Sequence, residues 1–193
     1  DYAFANMTDN ALDMSAYPNL QHVGKNAFAK NSVTNVTITP SMTIEEDAFS
    51  STGLTELVIE PGVTYVPGAF VENNITHVTM PDSVTTIGNK AFLRNRLTAV
   101  TIPNSVTTIG DEAFSNHQLT TVPMPSSLVS IGNSAFFNNA LTDVVVPSSV
   151  TSIGASAFAG NAPQLRRVSA ADAGDAMQSE SGISAPRLHR QYL

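Results

Sequence analysis

An Ala-Phe pair recurs at nearly constant spacing along most of the 193-residue chain. The phenylalanines are Phe4, Phe28, Phe49, Phe70, Phe92, Phe114, Phe136 and Phe158. After a first step of 24 residues, their separations are 21, 21, 22, 22, 22 and 22 residues. A unit this short cannot bury its own apolar face, so neighbouring units must stack and share a core. The repeat therefore predicts a solenoid.

The first half of each unit has the pattern of a short strand. The best preserved copy, LTAVTIPNSVTTIGDEAFSN, begins at Leu97. Val100 and Ile102 are two residues apart, so they share one face of an extended segment while Thr101 points the other way. Pro103 follows at once and, lacking an amide hydrogen, ends the pairing at a corner. Stacked units should therefore pair these strands in parallel.

The second half of each unit adds further apolar columns and a glycine. Val106, Ile109 and Gly110 represent these columns. The glycine predicts either a positive φ or a close approach between neighbouring backbones. We expect turns or short 3₁₀ segments around each Ala-Phe, and the stacked phenylalanines should form a spine. With little helix on the convex side, the solenoid should have low curvature.

These motifs carry a family resemblance. Leu-x-x-Val-x-Ile from Leu97 is similar to the core of leucine-rich repeats. Together with the following Pro-x-Ser-Val-Thr-x-Ile-Gly-x-x-Ala-Phe, it resembles the BspA-like, or Treponema-type, leucine-rich repeat family of surface proteins. We expect a right-handed parallel β-solenoid of about seven coils over residues 1–170, with about 22 residues per coil. Residues 171–193 have few apolar side chains and should form a cap, linker or tail.

Two of the units depart from the consensus. The repeats around Met42 and Val63 are one residue short, and Val66 is followed by Pro67 instead of glycine. We expect both units to be irregular at the corner.

Charge and composition exclude several classes of function. The formal net charge is -7, from 9 basic and 16 acidic residues, so the chain would repel a nucleic-acid backbone. Cysteine is absent, which excludes disulfides and thiolate metal sites. No stretch approaches the roughly 18 apolar residues of a membrane span. Only 13% of residues are charged, and Ser, Thr and Asn cover the surface instead, as is common in extracellular repeat proteins.

No constellation of residues indicates catalysis or metal binding. His22, His77, His117 and His189 fall in different columns without metal-ligand spacing, so we expect surface positions for them. Phosphate loops, nucleophile elbows and zinc-protease motifs are missing from the sequence. We therefore predict a protein that is not an enzyme and uses no cofactor or metal.

A column of asparagines follows the phenylalanines by three residues. Its members are Asn31, Asn73, Asn95, Asn139 and Asn161. Such a row could bind a ligand, but an internal ladder that satisfies backbone groups at a tight turn is the favoured interpretation.

The outward positions of the predicted strands vary in size and charge while the scaffold repeats. Variable side chains on a rigid sheet can form a specific surface, although β-branched residues there also suit a solvated sheet without any partner. The candidate binding residues on this face are Glu56, His77, Thr79, Thr101, Thr121 and Asp143.

The resemblance implies a non-enzymatic interaction module, secreted or at the cell surface, of an adhesion type. Its partner would be a protein, such as a host matrix or cell-surface protein. A structural spacer or assembly unit of a surface layer or fibre is one alternative, and an accessory domain of a larger enzyme is another. Because Asp1 lies inside a repeat, we expect a mature product or fragment whose open edge, from Tyr2 to Leu12, frays or self-associates.

Overall fold

The computed structural model describes the backbone of residues 12–13, 17, 19–161, 168–170 and 176–177. Side chains are described for residues 17 and 19–161. In this part the chain winds into a parallel β-solenoid of about six turns, each of about 21 residues, and contains no helix. The predicted fold class is confirmed. Residues 2–11 of the predicted open edge lie outside the described residues. The domain boundary at residue 170 and the count of about seven coils remain predictions.

All strands are short. They are β1 (Leu12–Asp13), β2 (His22–Val23), β3 (Val33–Ile38), β4 (Thr43–Ile44), β5 (Glu56–Ile59), β6 (Tyr65–Val66), β7 (Thr86–Ile87), β8 (Thr108–Ile109), β9 (Ser130–Ile131), β10 (Val144–Val146), β11 (Ser152–Ile153), β12 (Val168–Ala170) and β13 (Ala176–Met177).

The front wall consists of segments 33–38, 54–59, 75–80, 97–102, 119–124 and 141–146, where the sequence predicts strands. Regular pairing occurs in β1-β3-β5 and in β10-β12, with Val36 opposite Leu57 and Ile38 opposite Ile59. Between these groups, the described front segments have only one bridge, from Val58 to Thr79. At the C-terminal end, β13 pairs antiparallel with β12. The predicted inward columns are buried along the front wall, except that Met124 is only partly buried.

A second sheet, the side wall, forms where the sequence predicts no strand. Strands β6, β7, β8, β9 and β11 pair in parallel in that order, each contributing two residues. The amide of Gly110 donates to the Ile87 carbonyl at 2.8 Å, and the amide of Gly132 donates to the Ile109 carbonyl at the same distance. Bonds of this kind join β6, β7, β8, β9 and β11 into one continuous ladder.

The side-wall glycines are required by close approach and not by conformation. Among the described glycines, only Gly53, Gly62 and Gly160 have positive φ. A Cβ atom on Gly132 would lie 2.5 Å from the backbone nitrogen of Asp111 in the preceding coil. Real Cβ atoms do not approach other atoms so closely, so a side chain there would push the coils apart.

The turn wall is formed by the Ala-Phe turns, and it contributes a third ladder. Glu112, two residues before Phe114, has a φ of 55°. Asn116, two residues after Phe114, has a φ of 60°. With alternating left- and right-handed conformations, every second amide points along the solenoid axis, while the amides between them, such as that of Ser115, donate within the same coil. The amide of Phe114 donates to the Ala135 carbonyl at 2.8 Å, and Glu112 and Asn116 donate to the same next coil. The predicted turns are confirmed, while no 3₁₀ segment occurs in the described chain.

The phenylalanine spine lies behind this wall. The rings of Phe114 and Phe136 are fully buried and stack with centroids 5.4 Å apart and planes 9° apart. In the described residues the stack is continuous from Phe28 to Phe70 and again from Phe92 to Phe158. Such stacking adds to the stabilisation that comes from burial of the rings.

One coil, which ends in Phe70, departs from this regularity and is called the fault. Its Pro67 stands where other coils place the amide that donates to the preceding coil, as Gly110 does to Ile87. Proline has no amide hydrogen, so the Ile44 carbonyl loses its donor. As a result β4 pairs only with β2, and the side wall is interrupted between β4 and β6. The predicted irregularity of this unit is confirmed.

The fault also weakens the turn wall on its other side. Where Phe92 and Phe114 each donate an amide hydrogen bond to the next coil, Phe70 does not, among the described residues. Only Glu72 retains its bond there, to the Leu93 carbonyl at 2.9 Å. The ring stack breaks at the same step, so the irregularity extends to both neighbours of this coil.

Candidate functional site

The six predicted binding residues lie on the outer side of the front wall. All of them are exposed: Glu56, His77, Thr79, Thr101, Thr121 and Asp143. Their inward neighbours, such as Val78 and Val100, are buried. The alternation follows from the two-residue period of an extended segment, so the core columns fix the direction of each exposed side chain.

The structure arranges these residues as a strip along the solenoid axis. Glu56 lies opposite Asn35, and Thr79 lies opposite Val58, in the parallel register. Glu56 and Asp143 are four coils apart, which at about 4.8 Å per coil is about 19 Å. The two carboxylates therefore do not form one cluster, and the strip is a surface and not a catalytic constellation.

Two of the predicted residues meet in a shallow depression at the C-terminal end of the strip. Thr121 and Asp143 line a hollow of about 490 Å³ together with Pro123, Met124 and Val145. Val145 is 51% exposed. Apolar walls beside one carboxylate and the hydroxyls of Thr121 and Ser126 form a mixed surface of the kind found in protein interfaces.

His77 and Thr79 form the polar part of the strip. His77 Nε2 lies 3.2 Å from Thr79 Oγ1, which restrains both side chains in one orientation. Val58, in the neighbouring coil and 43% exposed, adds an apolar surface beside Thr79.

Val58, Pro123 and Val145 also lie at exposed outward positions of the front wall, but they are not among the residues predicted for the binding site. Their apolar character fitted strand propensity equally well, so their composition gave no separate signal. We add them to the candidate site because the structure exposes two large aliphatic side chains, Val58 and Val145, on this face.

The asparagine column is an internal ladder, as predicted. Asn139 Oδ1 accepts the Leu119 amide at 3.1 Å, while its Nδ2 donates to the Phe114 and Phe136 carbonyls at 2.8 and 3.1 Å. Asn73, Asn95 and Asn161 repeat this pattern. Because both ends of each amide are engaged by backbone groups, the column is not free to bind a ligand.

His117 contradicts the prediction that the histidines lie at the surface. It occupies the position of the asparagine column after Phe114, and it is only 7% exposed. Its Nδ1 accepts the Leu97 amide at 3.2 Å, as an asparagine oxygen does elsewhere. The surface prediction for His117 was based on residue type alone. Its place in the asparagine column, three residues after Phe114, would have predicted burial. His22 and His77 are exposed as predicted, and His189 lies outside the described residues.

An ion pair on the turn wall lies apart from the strip. Arg94 contacts the Glu72 carboxylate, and the Ser51 hydroxyl donates to it at 3.1 Å. These contacts hold the pKa of Glu72 below its ordinary value, and the hydrogen bond from Arg94 has the largest effect. Both charged side chains are largely exposed, so the pair contributes little to stability.

A second hollow lies at the fault. It has a volume of about 280 Å³, and its lining includes Pro40, Met42, Ile44, Tyr65 and Pro67. None of the six predicted residues belongs to it. Within the described chain, no group of three or more His, Asp or Glu side chains is arranged to hold a metal ion. The same residues include no helix able to cross a bilayer.

The repeat matches the family model described as the BspA type leucine rich repeat region, with six copies over residues 1–97 and 66–179. The chain belongs to the BspA-type leucine-rich repeat family. This family consists of repeat proteins that act as interaction modules and are generally not enzymes. No curated protein matches the chain.

Two solved structures of leucine-rich repeat proteins are similar to this solenoid. A leucine-rich repeat protein from Eubacterium ventriosum is 29% identical with a TM-score of 0.56, over 62% of this chain and 32% of that chain. A leucine rich cell surface protein from Faecalibacterium prausnitzii is 26% identical with a TM-score of 0.56, over 86% of this chain and 47% of that chain. The chain therefore spans less than half the length of either protein.

Proposed function

We propose that this protein is an adhesion-type interaction module, secreted or on a cell surface, which binds a protein partner through the outer side of its front wall. The supporting observation is the hollow formed by Thr121, Asp143 and Val145 on the outer side of the front wall, whose inward residues pack in the core. A bacterial cell surface protein of the same fold supports the location. The partner class is a host matrix or cell-surface protein.

The chemistry of the strip sets the expected strength of binding. Large aromatic residues supply most interface hot spots, and the outward positions of the described front wall contain none. The fixed spacing of a sheet reduces the entropy lost on binding, which partly offsets the small apolar area. We therefore expect modest affinity for one module and strong attachment only when many copies act together.

A matched pair of double variants tests the location of the site. Thr121→Glu with Val145→Glu adds two charges in the hollow. Thr151→Glu with Val129→Glu adds the same charges beside the side wall, at a threonine and a valine that are also exposed. Both proteins should keep the wild-type melting temperature within a few degrees.

Beads coated with each protein would be measured for adherence to immobilised matrix proteins and to host cells. We expect at least a tenfold loss for the front-wall variant and wild-type adherence for the side-wall variant. Equal adherence of both would place the site elsewhere, at the fault or near the C-terminal end. A second set, with His77, Thr79 and Thr101 replaced by charged residues, tests the polar part of the strip in the same way.

The structural-spacer hypothesis makes the opposite prediction. Coil-to-coil bonding through three ladders makes a stiff rod, which supports a spacer or assembly role without any ligand. If the wild-type protein adheres to none of the matrix proteins or cells, while the chain assembles or extends a larger protein, the spacer is the better description. The accessory-domain hypothesis requires catalytic sequence in the same polypeptide.

A further inference from the structure

The position of His117 differs chemically from the rest of its column. Asn95 and Asn139 each accept one backbone amide and donate to backbone carbonyls. His117 accepts the Leu97 amide through Nδ1, but its Nε2 is buried without a hydrogen-bond partner. The Phe92 carbonyl lies near the ring without forming a full hydrogen bond. One member of the ladder is therefore incompletely satisfied.

The contact with Leu97 fixes the protonation state of the ring. Because Nδ1 accepts the Leu97 amide hydrogen, the proton of the neutral imidazole is on Nε2. Adding a proton to Nδ1 would turn the acceptor into a donor and place it against the Leu97 N–H. The Leu97 amide would then lose its partner inside the core, and the ring would carry an uncompensated charge.

We propose that His117 makes this solenoid acid-sensitive, so that its protonation opens the junction between the turn after Phe114 and the front segment that begins at Leu97. Asparagine at the same position in neighbouring coils cannot gain a proton in this range. The device therefore acts on one junction while the others stay closed.

The surroundings of the ring support this behaviour. Burial lowers the pKa of His117 to about 4 from its ordinary 6.5, and the nearby Phe92 carbonyl opposes that shift. Phe114 packs against the imidazole at a centroid distance of 6.4 Å. The charged residues that lie closest in sequence to Leu97 and Phe114 are Arg96 and Glu112, and neither is among the causes of the shift. In the described part of the chain, no carboxylate compensates the imidazolium that acid would create.

The direction of the pH effect follows from linkage. The unfolded histidine takes up its proton near pH 6.5, whereas the folded one resists until about pH 4. Stability is therefore complete above pH 6.5 and falls as the pH decreases from 6.5 towards 4. Between pH 7.5 and pH 5, the ratio of folded to unfolded protein should fall roughly 30-fold through this residue alone.

The opened junction lies under the middle of the front wall. Leu97 begins the segment that carries Thr101, and His117 lies two residues before Leu119, which begins the segment that carries Thr121. Loss of the Leu97 bond would loosen both segments. This inference concerns the conformation of the solenoid and holds whether or not the front wall binds a partner.

The test compares the wild type with His117→Asn. An asparagine there should complete the ladder, so the variant should be more stable at pH 7.5, and the difference should widen at pH 5 by roughly 30-fold in the folding equilibrium. Titration of carboxylates affects both proteins equally and cancels. Denaturant unfolding at both pH values measures the ratio, and an NMR titration of the His117 ring gives its pKa directly.

A transplanted histidine provides the second variant. Asn139→His places the same group in the next coil, where it should add a second acid-sensitive junction and steepen the loss of stability below pH 6.5. Amide exchange at Leu97, corrected for the intrinsic pH dependence, should rise in acid in the wild type but not in His117→Asn. Equal pH dependence of the wild type and His117→Asn, or a ring that titrates near 6.5 in the folded protein, would overturn the proposal.

Discussion

The carboxylate of Asp111 accepts a hydrogen bond from the backbone amide of Asn133, one coil later, at 2.7 Å. Asn89 caps the Asp111 amide at 2.8 Å, and Asn133 caps the Ala155 amide at 2.8 Å in the same way. This column lies next to the side-wall glycines, where backbones approach too closely for other side chains. Asp111 is therefore not simply a charged surface residue, because its carboxylate is one of the side chains that cap a backbone amide of the next coil.

Replacement of Asp111 tests that relationship. Asp111→Ala removes the acceptor for the Asn133 amide and should cost about 1 kcal/mol or more of unfolding free energy. Asp111→Asn keeps an oxygen in place and should cost less than half as much. Urea unfolding of both variants measures the difference, and equal losses would show that charge, and not hydrogen bonding, matters at this position.

The phenylalanine spine should respond most strongly to truncation. Phe114→Ala removes a fully buried ring that stacks on both Phe92 and Phe136, and should cost about 3 to 5 kcal/mol. Thr120→Ala, at an exposed position whose hydroxyl has no partner among the described residues, is the control. Thermal unfolding would detect the difference. If both variants had similar melting temperatures, the phenylalanine spine would not be a major source of stability.

A methyl group on a side-wall glycine should separate two coils. Gly132→Ala places a Cβ against the backbone of Asp111 and should cost about 1 to 3 kcal/mol through overpacking. Gly132 has a negative φ, so the penalty comes from space and not from backbone conformation. Unfolding in guanidinium chloride measures it. An unchanged midpoint would mean that neighbouring coils can shift at no cost.

The fault should be visible in hydrogen exchange. The amide of Tyr65 has no backbone acceptor in the described structure, whereas the amide of Ser130, two residues before Gly132, donates to the Thr107 carbonyl at 3.1 Å. We expect Tyr65 to exchange at least tenfold faster than Ser130 under native conditions. Equal protection of the two amides would mean that the side wall is continuous through Pro67 in solution.

Sequence columns predict most of this architecture because the same contacts recur in most coils. The inward columns, the ring spine and the asparagine ladder all follow from spacing alone. The side wall does not, since a two-residue strand such as Thr108–Ile109 is defined by backbone hydrogen bonds and leaves no alternation to detect. The central front wall shows the reverse, with a clear strand pattern but little regular pairing.

The candidate site was predicted only in part for a related reason. Exposure of Thr121 and Asp143 follows from the period of the strand, but the hollow between them depends on the shapes of Pro123 and Val145 in adjacent coils. His117 shows a different limit, because its burial follows from its column while its unpaired Nε2 depends on ring geometry. The sequence pattern determines whether a side chain points inward or outward, and three-dimensional packing determines which groups it contacts.

The fault has a mechanical consequence. A solenoid pulled from its two ends bears the force through its coil junctions in series, and a series of links separates at the weakest one. The junctions on either side of Phe70 each lack bonds that the other junctions possess, in the side wall before it and in the turn wall after it. Under tension the protein should therefore lengthen first at this coil, as an extensible link, while the stack from Phe92 to Phe158 stays intact.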